Sequence, residues 1–365
     1  MDKDPIDGNP LSFRVFSSAT NEKTSSVVGL NSKTYVAGTE YTFKVKPRDQ
    51  YGNLRSNDIE NLLLTNFSDN LEIPVEADIF GSAVLITNLG EEYETEVRVL
   101  YNRATLEYDG VFLATKSGPY KVNLWLINER GQQVQLNGSP FEVEVLSSRT
   151  DVRECSLVDE SQIHDLIAGE TKILMLQSRD SYGNFRPNGS DYWEIMIVNE
   201  FSQHTVFGEA IHQENGLYEI MFFPIEASAS FLHITLNGDH ISGSPFEMTV
   251  MPNVSFGASC FLLFDLTSDT LVGSDLSDAL FVQTADRWKN NLTMPSGVNI
   301  TATLSSNLST FEKCECSYIS AGLWNVDIVP KLSGKWDLSV RVNGNQIQKS
   351  PFTINVLEGA ILPIA

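Results

Sequence analysis

The phrase Ser-Pro-Phe-Glu-Val-Glu-Val at residues 139–145 returns twice along the chain with small changes. It reads Ser-Pro-Phe-Glu-Met-Thr-Val at 244–250 and Ser-Pro-Phe-Thr-Ile-Asn-Val at 350–356, at spacings of 105 and 106 residues. A fixed period of this length indicates a structural unit of about 100 residues that is repeated three times. Apolar and polar residues alternate after each Phe, which predicts a strand with one buried face. In the first copy Glu142 and Glu144 are expected to face solvent.

A proline stands directly before each of these strands. Because proline cannot donate a backbone hydrogen bond, this position suits the start of a strand or a sheet edge. The structural positions predicted from the phrase are Pro140, Phe141, Pro245, Phe246, Pro351 and Phe352.

A glycine opens an alternating aromatic strand upstream of each closing phrase. Gly110, Gly216 and Gly322 are spaced 106 residues apart. Between the glycine and the closing phrase, two units contain an Asn-Gly pair, at 237–238 and 343–344. Both residues of an Asn-Gly pair tolerate positive φ, so the pair predicts tight β-hairpins.

An earlier element joins an Ala-Gly pair to a charged turn. Arg-Asp-Gln-Tyr-Gly-Asn at 48–53 follows Ala-Gly at 37–38, and Arg-Asp-Ser-Tyr-Gly-Asn at 179–184 follows Ala-Gly at 168–169. The third copy is altered to Ala-Asp-Arg-Trp-Lys-Asn at 285–290. A single Asp beside Gly-Asn is typical of a turn whose carboxylate bonds the local backbone, and a calcium site is therefore not predicted.

The first unit is longer than the other two. From Asp49 to Gly110 there are 61 residues, whereas the same distance is 36 in each later unit. We therefore predict an insertion of 25 residues, roughly within 65–105, that forms a loop, hairpin or short helix unique to the first unit.

Short strands of period two, separated by Gly, Asn, Asp and Pro turns, predict an all-β fold of three tandem immunoglobulin-like antiparallel β-sandwiches. The predicted domains are 10–147 with the insertion, 148–252, and a degenerate copy at 253–358.

These motifs resemble the filamin-type immunoglobulin-like repeat. Its marks are an early Ala-Gly, an Asp-x-x-Gly-Asn turn, a Gly-x-Tyr strand and an Asn-Gly hairpin that ends in Ser-Pro-Phe. The second unit fits nearly throughout, the third fits at its end, and the first keeps both ends. The resemblance implies binding by protein contact. Such repeats occur in cytoplasmic actin crosslinkers and in the ectodomains of sperm-surface adhesion proteins of flowering plants.

Charge and hydropathy exclude several functions. The chain has 25 Lys and Arg against 47 Asp and Glu, a formal charge of −22, so nucleic acid and anionic lipid surfaces would be repelled. No run of about 18 apolar residues is present, and the N-terminus has no apolar signal core. We expect any membrane anchor to lie outside this chain.

The glycosylation sequons and the cysteines bear on whether the protein is extracellular or intracellular. Seven Asn-x-Ser/Thr sequons occur, against about four expected from composition. Asn137 is discounted because Pro140 follows its Ser in a tight turn, and the candidates for glycosylation are Asn66, Asn188, Asn253, Asn291, Asn299 and Asn307. In a protein that never enters the secretory pathway, these are chance matches.

Cys155 and Cys260 are 105 residues apart and therefore share one repeat position, where a small buried residue is expected. Cys314 and Cys316 alternate on one strand and cannot bond each other. A disulfide from Cys260 to Cys314 or Cys316 is a candidate in an oxidising compartment. Cys-x-Cys without a second pair does not predict a zinc site.

Catalytic motifs are missing, including the nucleophile elbow, the P-loop, the dinucleotide-binding loop and the zinc-protease helix. All five histidines lie in the second unit, without compact ligand spacing: His164, His204, His212, His233 and His240. We therefore predict no enzyme activity, no metal, no cofactor and no small-molecule substrate.

The function predicted is an extracellular adhesion ectodomain that binds a protein on an opposing cell surface, as in gamete attachment before fertilisation. The alternative is an intracellular actin-crosslinking or scaffold rod. The inserted segment of the first unit is the hypothetical contact surface, and partners are expected to add a strand to a sheet edge or to bind at loops.

Overall fold

A computed structural model describes residues 15, 17–30, 34–54, 79–86, 92–102, 104–128, 130–164, 166–263, 269–276, 279–306 and 311–358. They form 27 β-strands in three nine-stranded sheets. The helical segments are short 3₁₀ turns at Val152–Glu154, Glu160–Ile163 and Gly257–Ser259. The predicted all-β fold of three tandem immunoglobulin-like sandwiches is confirmed. Among the residues described, no helix has the length and apolar character needed to cross a bilayer.

Contacts divide the chain into two compact units, which differ from the three repeated units of the sequence. The first comprises Met1–Asp151 with Arg179–Pro187, and the second comprises Val152–Ser178 with Asn188–Ala365. The first unit holds one sheet, called repeat one, and the second unit holds two, called repeats two and three. The predicted domain limits of 10–147, 148–252 and 253–358 contain one sheet each and remain predictions.

Repeat one has the strand order β1-β3-β6-β5-β4-β7-β9-β2, with β8 paired to β7. The strands are β1 Ser26–Val28, β2 Thr34–Val36, β3 Glu40–Lys46, β4 Ile79–Ile86, β5 Glu92–Asn102, β6 Glu107–Leu113, β7 Gly118–Ile127, β8 Gln133–Gln135 and β9 Phe141–Leu146. The first half of β5 pairs with β4 and its second half with β6. This strand therefore passes from one layer of the sandwich to the other.

Repeat two has the same order, β10-β12-β15-β14-β13-β16-β18-β11, with β17 paired to β16. Its strands are β10 Ser156–Leu157, β11 Leu166–Ile167, β12 Lys172–Gln177, β13 Trp193–Asn199, β14 Thr205–His212, β15 Leu217–Phe222, β16 Ala229–Leu236, β17 Asp239–His240 and β18 Phe246–Met251.

Repeat three follows the same order again, β19-β21-β24-β23-β22-β25-β27-β20, with β26 paired to β25. Its strands are β19 Phe261–Leu262, β20 Thr270–Leu271, β21 Phe281–Gln283, β22 Ile300–Ser306, β23 Phe311–Ser320, β24 Leu323–Asp327, β25 Gly334–Val342, β26 Asn345–Gln346 and β27 Phe352–Leu357. In each repeat an early short strand pairs in parallel with the last strand: β2 with β9, β11 with β18, and β20 with β27.

Each sheet encloses its own apolar core. In repeat one the ring of Phe112 lies edge-on between Tyr35 and Tyr120, with ring centroids 6.0 and 5.6 Å away. The closing strands alternate as predicted, because Val143 and Val145 are buried while Glu142 and Glu144 are exposed. The Asn-Gly pairs at 237–238 and 343–344 have positive φ at both residues and close the predicted hairpins.

The Ser-Pro-Phe phrase ties the closing strand to its neighbour in the same way three times. The Ser139 hydroxyl accepts a hydrogen bond from the Leu124 amide at 2.9 Å. Ser244 and Ser350 accept from the amides of Ile234 and Val340, each at 3.0 Å. The peptide bond between Ser and Pro is cis in all three copies. These contacts fix which residues of the three sheets are equivalent.

Gly110 does not hold the position predicted for it. The left-handed turn residue before the strand is Leu106, with φ +58°, and its counterparts are Gly216 and Gly322 with φ +73° and +72°. Gly110 lies inside β6 opposite Phe43. A Cβ atom added to Gly110 would overlap Cζ of Phe43. A glycine is needed there because the Phe43 ring occupies the side-chain space, and the equal spacing of 106 residues to Gly216 is a coincidence.

The additional residues of repeat one overlap the predicted 65–105 segment only in part. Residues 79–86 and 92–102 are β4 and β5, the counterparts of β13 and β14 in repeat two, so nearly half of the 65–105 segment belongs to the common sheet. Gly81 is 32 residues after Asp49, whereas its counterpart Ile195 is 15 residues after Asp180. Most of the added length therefore precedes Ile79, within 55–78, which is outside the described residues.

We predict that Gly110→Ala destabilises repeat one by about 1–3 kcal/mol through overpacking against Phe43. Combining it with Phe43→Leu should recover part of that loss, because the smaller side chain leaves room for the new methyl group. Urea unfolding followed by hydrogen exchange in peptides from β3 and β6 measures both effects. Costs that simply add in the double variant would contradict the contact.

Candidate interaction surfaces

The Asp-containing turn is built around a carboxylate that accepts four hydrogen bonds. In the turn at Asp180, Oδ1 accepts from the amides of Tyr182 and Asn184, both at 2.9 Å. Oδ2 accepts from the Ser148 amide at 2.8 Å and from Nδ2 of Asn184 at 2.9 Å. The side chain of Asp180 is fully buried. Its charge is stabilised by these donors, so the predicted role of a turn former is confirmed.

The same four bonds recur around Asp49 and Asp286. Around Asp49 the donors are the amides of Ser18, Tyr51 and Asn53 and the Asn53 side chain, at 2.9 to 3.1 Å. Around Asp286 the amides of Asn253, Trp288 and Asn290 and the Asn290 side chain donate at 2.8 to 3.0 Å.

The hydrogen bonds control the ionisation of two of these carboxylates. Burial alone would raise the pKa of Asp180, but the bonds from the Asn184 side chain and from three backbone amides outweigh it, so the pKa lies below its ordinary value. The pKa of Asp49 is lowered for the same balance of causes. Both groups therefore stabilise the fold as anions.

The third copy of the turn is altered in sequence but not in geometry. Lys289 has φ +71° where Gly52 and Gly183 have +84° and +77°. The early glycine is also present, since Gly273 donates to the carbonyl of Pro330 at 2.8 Å as Gly169 does to that of Pro224 at 2.7 Å. The start of repeat three is thus degenerate in residue types only.

In the first unit the turn at 179–187 docks on repeat one. Asn184 Oδ1 accepts from the Ser117 amide at 2.9 Å, and its Nδ2 donates to the Thr115 carbonyl at 2.8 Å. The ring of Tyr182 covers Gly38 so closely that a Cβ atom there would overlap it. The Tyr182 ring and the Asn184 side chain therefore form one contact, called a joint below. Its other side consists of Gly38, the Thr115 carbonyl and the Ser117 backbone amide.

The second unit contains the same joint. Asn290 Oδ1 accepts from the Ala227 amide at 2.9 Å, and its Nδ2 donates to the Ile225 carbonyl at 2.8 Å. Trp288 covers Gly169 in the way that Tyr182 covers Gly38. The Trp288 ring also packs edge-on against Phe223, with the ring centroids 6.3 Å apart. From the sequence, the motif that contains these residues predicts only a turn. The aromatic residue recurring in an otherwise polar turn was the available signal.

Repeat two carries an unusual outward sheet face. The buried side chains of β13 and β16 alternate with outward ones, and Met196 pairs across the sheet with both Phe207 and His233, while Val198 pairs with Phe231. Phe207 is 73% exposed. We call this set the repeat-two face: Met196, Val198, Phe207, Phe231 and His233.

The equivalent faces of the other repeats are more polar. The cross-strand registers place five polar side chains at these positions in repeat three: Thr303, Ser305, Lys313, Asp337 and Ser339. In repeat one the positions hold Ser82, Val84, Glu96, Lys121 and Asn123. Because exposed apolar clusters mark interaction sites, the repeat-two face, with Phe207 exposed and the other four side chains half-buried, is a candidate contact surface. Sequence reasoning missed it because the strands read simply as apolar.

His233 lies at the border of this face. Partial burial, together with the neighbouring His240 ring 5.5 Å away, lowers its pKa below the ordinary histidine value. The imidazole is therefore neutral at physiological pH, which keeps the face uncharged at this point.

Free sheet edges for strand addition are short. The central strands β4, β13 and β22 are paired on both sides. In β14, residues 205–208 pair only with β13, and residues 209–212 pair only with β15. Each half of β14 thus leaves an unpaired edge of four residues, which is short for pairing with a strand of a partner. Within the described residues, the sheet face is a larger contact surface than these edges.

The candidate glycosylation sites differ in accessibility. Asn188, Asn291 and Asn299 are exposed. Asn253 is half-buried, and its amide donates to the Ala168 carbonyl at 2.9 Å and accepts from the Val254 amide at 2.7 Å. Its side chain is therefore part of the joint between repeats two and three. The remaining candidates lie outside the described residues: Asn66 and Asn307.

None of the four cysteines forms a disulfide in the structure, so the suggested bond from Cys260 to Cys314 or Cys316 is not formed. The Cys260 thiol instead contacts the Phe256 carbonyl at 3.4 Å and the Ala285 amide at 3.4 Å. Burial raises the pKa of Cys314 and Cys316 to about 11, so both thiols stay protonated at neutral pH. As predicted for their shared position, Cys155 and Cys260 are fully buried.

The histidines are held by separate contacts. His204 lies 3.6 Å from Glu226, and His240 Nδ1 lies 2.8 Å from the Ser244 hydroxyl. His212 packs against Tyr218, with the ring centroids 5.1 Å apart. In the part of the chain that the structure describes, no three His, Cys, Asp or Glu side chains are grouped to hold a metal ion.

Comparisons with known proteins agree with the repeat motif. No protein-family model matches the chain. Filamin-A of Drosophila melanogaster is 25% identical over 252 residues, which is 68% of this chain and 10% of that protein. Protein GAMETE EXPRESSED 2 of Arabidopsis thaliana is 20% identical over 271 residues, 69% of this chain and 28% of that protein. The chain is therefore similar to filamin-type repeats and to this gamete-expressed protein, and it spans a small part of each relative.

Among solved structures, the Escherichia coli adhesin FdeC covers 94% of this chain and 100% of its own, at 16% identity and a TM-score of 0.49.

We predict that Asp180→Asn lowers the free energy of unfolding of the first unit by about 1–3 kcal/mol at pH 7, because an amide offers one acceptor oxygen where the carboxylate offers two. The folded pKa of Asp180 is below its unfolded value of about 3.9. Its stabilisation is therefore complete above that value and is lost as pH falls through the folded pKa. The difference between variant and parent in urea unfolding should shrink with acidification.

The matched control is Asp239→Asn, which changes an exposed carboxylate in a hairpin turn. We expect it to leave stability nearly unchanged at every pH. An equal loss in both variants, or a pH-independent loss in Asp180→Asn, would contradict the role given to the buried carboxylate.

Proposed function

We propose that this chain is part of a cell-surface adhesion protein that acts by protein–protein contact, with the repeat-two face as its contact surface. The observation that carries the proposal is the outward row of Met196, Phe207 and His233 with Val198 and Phe231 beside it. The equivalent face of repeat three is polar and that repeat has the same fold, so the apolar residues on the face of repeat two are not required for folding. This supports a role in binding. A protein partner that covers Phe207 would remove its exposed ring from water.

The extracellular location is supported by the similarity to a gamete-expressed protein and by exposed sequons at Asn188, Asn291 and Asn299. On this basis we propose attachment of gametes before fertilisation as the process, and a protein on the opposing cell as the partner. A membrane anchor would lie outside this chain. The role is non-catalytic, in keeping with repeats that resemble binding modules.

The second candidate is an intracellular scaffold rod, favoured by the match to Filamin-A. The joint between repeats two and three suits a spacer inside a cell as well as outside one. The two candidates differ in glycosylation and in the partner that reaches the repeat-two face.

We predict that Met196→Thr with Phe207→Lys, which gives two positions of the repeat-two face their repeat-three residues, weakens attachment. Beads coated with the whole chain should adhere to isolated female gametes, and the double variant should adhere about tenfold less, because exposed anchors of this kind dominate binding energy. Both positions face outward, so circular dichroism and thermal unfolding should match the parent.

The control for that experiment is Leu100→Lys, at a residue 71% exposed in β5 of repeat one. It removes a similar amount of exposed apolar surface away from the proposed contact and should leave adhesion unchanged. Full adhesion by the double variant would sink the assignment of this face, and a parent chain that adheres to no gamete would favour the scaffold.

We predict further that the chain secreted from eukaryotic cells carries glycans at Asn188, Asn291 and Asn299 but not at Asn253. A sugar on Asn253 would disrupt its bond to the Ala168 carbonyl. Site-resolved mass spectrometry before and after deglycosylation measures occupancy. Full occupancy of Asn253 in folded protein would contradict the joint, and unmodified sequons throughout would count against the outside location.

A further inference from the structure

The stretch of sequence that contains the repeat-two face has no basic side chain other than histidine. Residues 187–286 contain no Lys and no Arg, but 14 Asp and Glu. The whole chain has 25 Lys and Arg in 365 residues, so about seven would be expected in a stretch of this length. Strands β13, β14, β16, β17 and β18 all lie within it. Apolar surface and negative charge therefore occur together on this sheet.

Two exposed carboxylates flank the apolar cluster. Glu247 of β18 pairs across the sheet with Phe231, and Glu194 of β13 pairs with Thr235, whose hydroxyl donates to Glu194 Oε2 at 3.1 Å. The two glutamates lie on opposite sides of β16, and the residues that they face are four positions apart on that strand. At the usual spacings of strands and residues, their Cα atoms are about 16 Å apart, with Phe231 and His233 between them.

No neighbouring cation neutralises these carboxylates. Among the residues that the structure describes, neither Glu194 nor Glu247 forms an ion pair. On a sheet face of repeat one, by contrast, Glu107 pairs with Lys44 at 3.1 Å. His233, the histidine of the repeat-two face, is neutral at physiological pH because its pKa lies below the ordinary value. Both negative charges are therefore available to a partner.

The equivalent faces of the other repeats each hold a lysine. The cross-strand registers place Lys121 of repeat one at the position of Phe231, and Lys313 of repeat three at the position of Phe207. A basic partner would be repelled by these lysines, whereas on repeat two it meets only apolar and acidic side chains. The charge of the face thus distinguishes repeat two from its neighbours, as its apolar character does.

We propose that the repeat-two face binds a segment of a partner protein in which apolar side chains lie between basic ones. The apolar side chains pack on Met196 and Phe207, and a Lys or Arg on either side meets Glu194 and Glu247. An acidic segment is repelled by the same two carboxylates, so the sign of the charge gives selectivity. This inference rests on the proposed function, which makes this face the contact surface, and adds the chemistry of the partner.

Two synthetic peptides with blocked ends test the sign of the charge. Lys-Thr-Phe-Thr-Leu-Thr-Lys, when extended, presents Phe and Leu between two Lys on one face, and Glu-Thr-Phe-Thr-Leu-Thr-Glu is its acidic counterpart. Each peptide carries a fluorophore and is titrated with the whole chain, so that fluorescence anisotropy gives its Kd. We expect the acidic peptide to bind at least about tenfold more weakly than the basic one. The affinity of the basic peptide should fall as added salt screens the carboxylates.

A pair of charge variants locates the contact. Glu194→Gln with Glu247→Gln removes both charges, keeps the apolar cluster, and should bind the basic peptide about fivefold more weakly, since exposed ion pairs are individually weak. The matched control is Glu142→Gln with Glu144→Gln, which changes two exposed carboxylates on β9 of repeat one. It has the same net charge and should bind like the parent. The control separates a local contact from the attraction of any cation to an acidic chain.

The outcomes distinguish this inference from the proposed function. A parent that binds the basic peptide no better than the acidic one, or an equal loss in the two charge variants, would overturn the basic partner. If Met196→Thr with Phe207→Lys still weakened adhesion to gametes, the contact surface would stand without it. Selective binding of the basic peptide that depends on Glu194 and Glu247, in a chain that adheres to no gamete, would support the partner chemistry and count against the adhesion role.

Discussion

The buried carboxylate of Asp180 is the contact on which the order of the first unit depends. Four donors surround it, and three of them are backbone amides from two separate segments of the chain. Once the carboxylate has fixed the turn, Asn184 and Tyr182 have a single orientation and can reach repeat one. One ionised side chain thus controls both a local turn and the docking of that turn on repeat one. The third repeat keeps the same device at Asp286, although most residues around it differ.

Much of the fold could be predicted from the sequence because β-sandwiches depend on local signals. The Ser-Pro-Phe phrase gave the period, alternation gave the buried face of the closing strand, and Asn-Gly gave the hairpins, all of which the structure confirms. Gly110 was misplaced because spacing alone cannot tell a glycine required by a turn from one required by packing. Leu106 holds the turn without the expected residue type, which only the backbone geometry reveals.

The interaction surfaces were less predictable, since they depend on registers between strands distant in sequence. Met196, Phe207 and His233 lie on three strands and meet only because β13 pairs with both neighbours at particular residues. The sequence-based hypothesis placed the contact in residues 65–105, yet much of that segment forms β4 and β5 of the common sheet. Removing it would delete two strands from the sandwich and would test folding, not binding. Tyr182 and Trp288 had a periodic signal, but their glycine partners lie over 100 residues away.

The parallel pairing of β11 with β18 has a mechanical consequence. These two strands lie near the beginning and the end of repeat two and run side by side in the same direction. A force that pulls the two ends of the repeat apart therefore slides the strands lengthwise past each other and loads their hydrogen bonds together. Peeling bonds one at a time takes less force than shearing them as a group. A molecule that holds two moving cells in contact would benefit from this resistance, and repeats one and three share the arrangement.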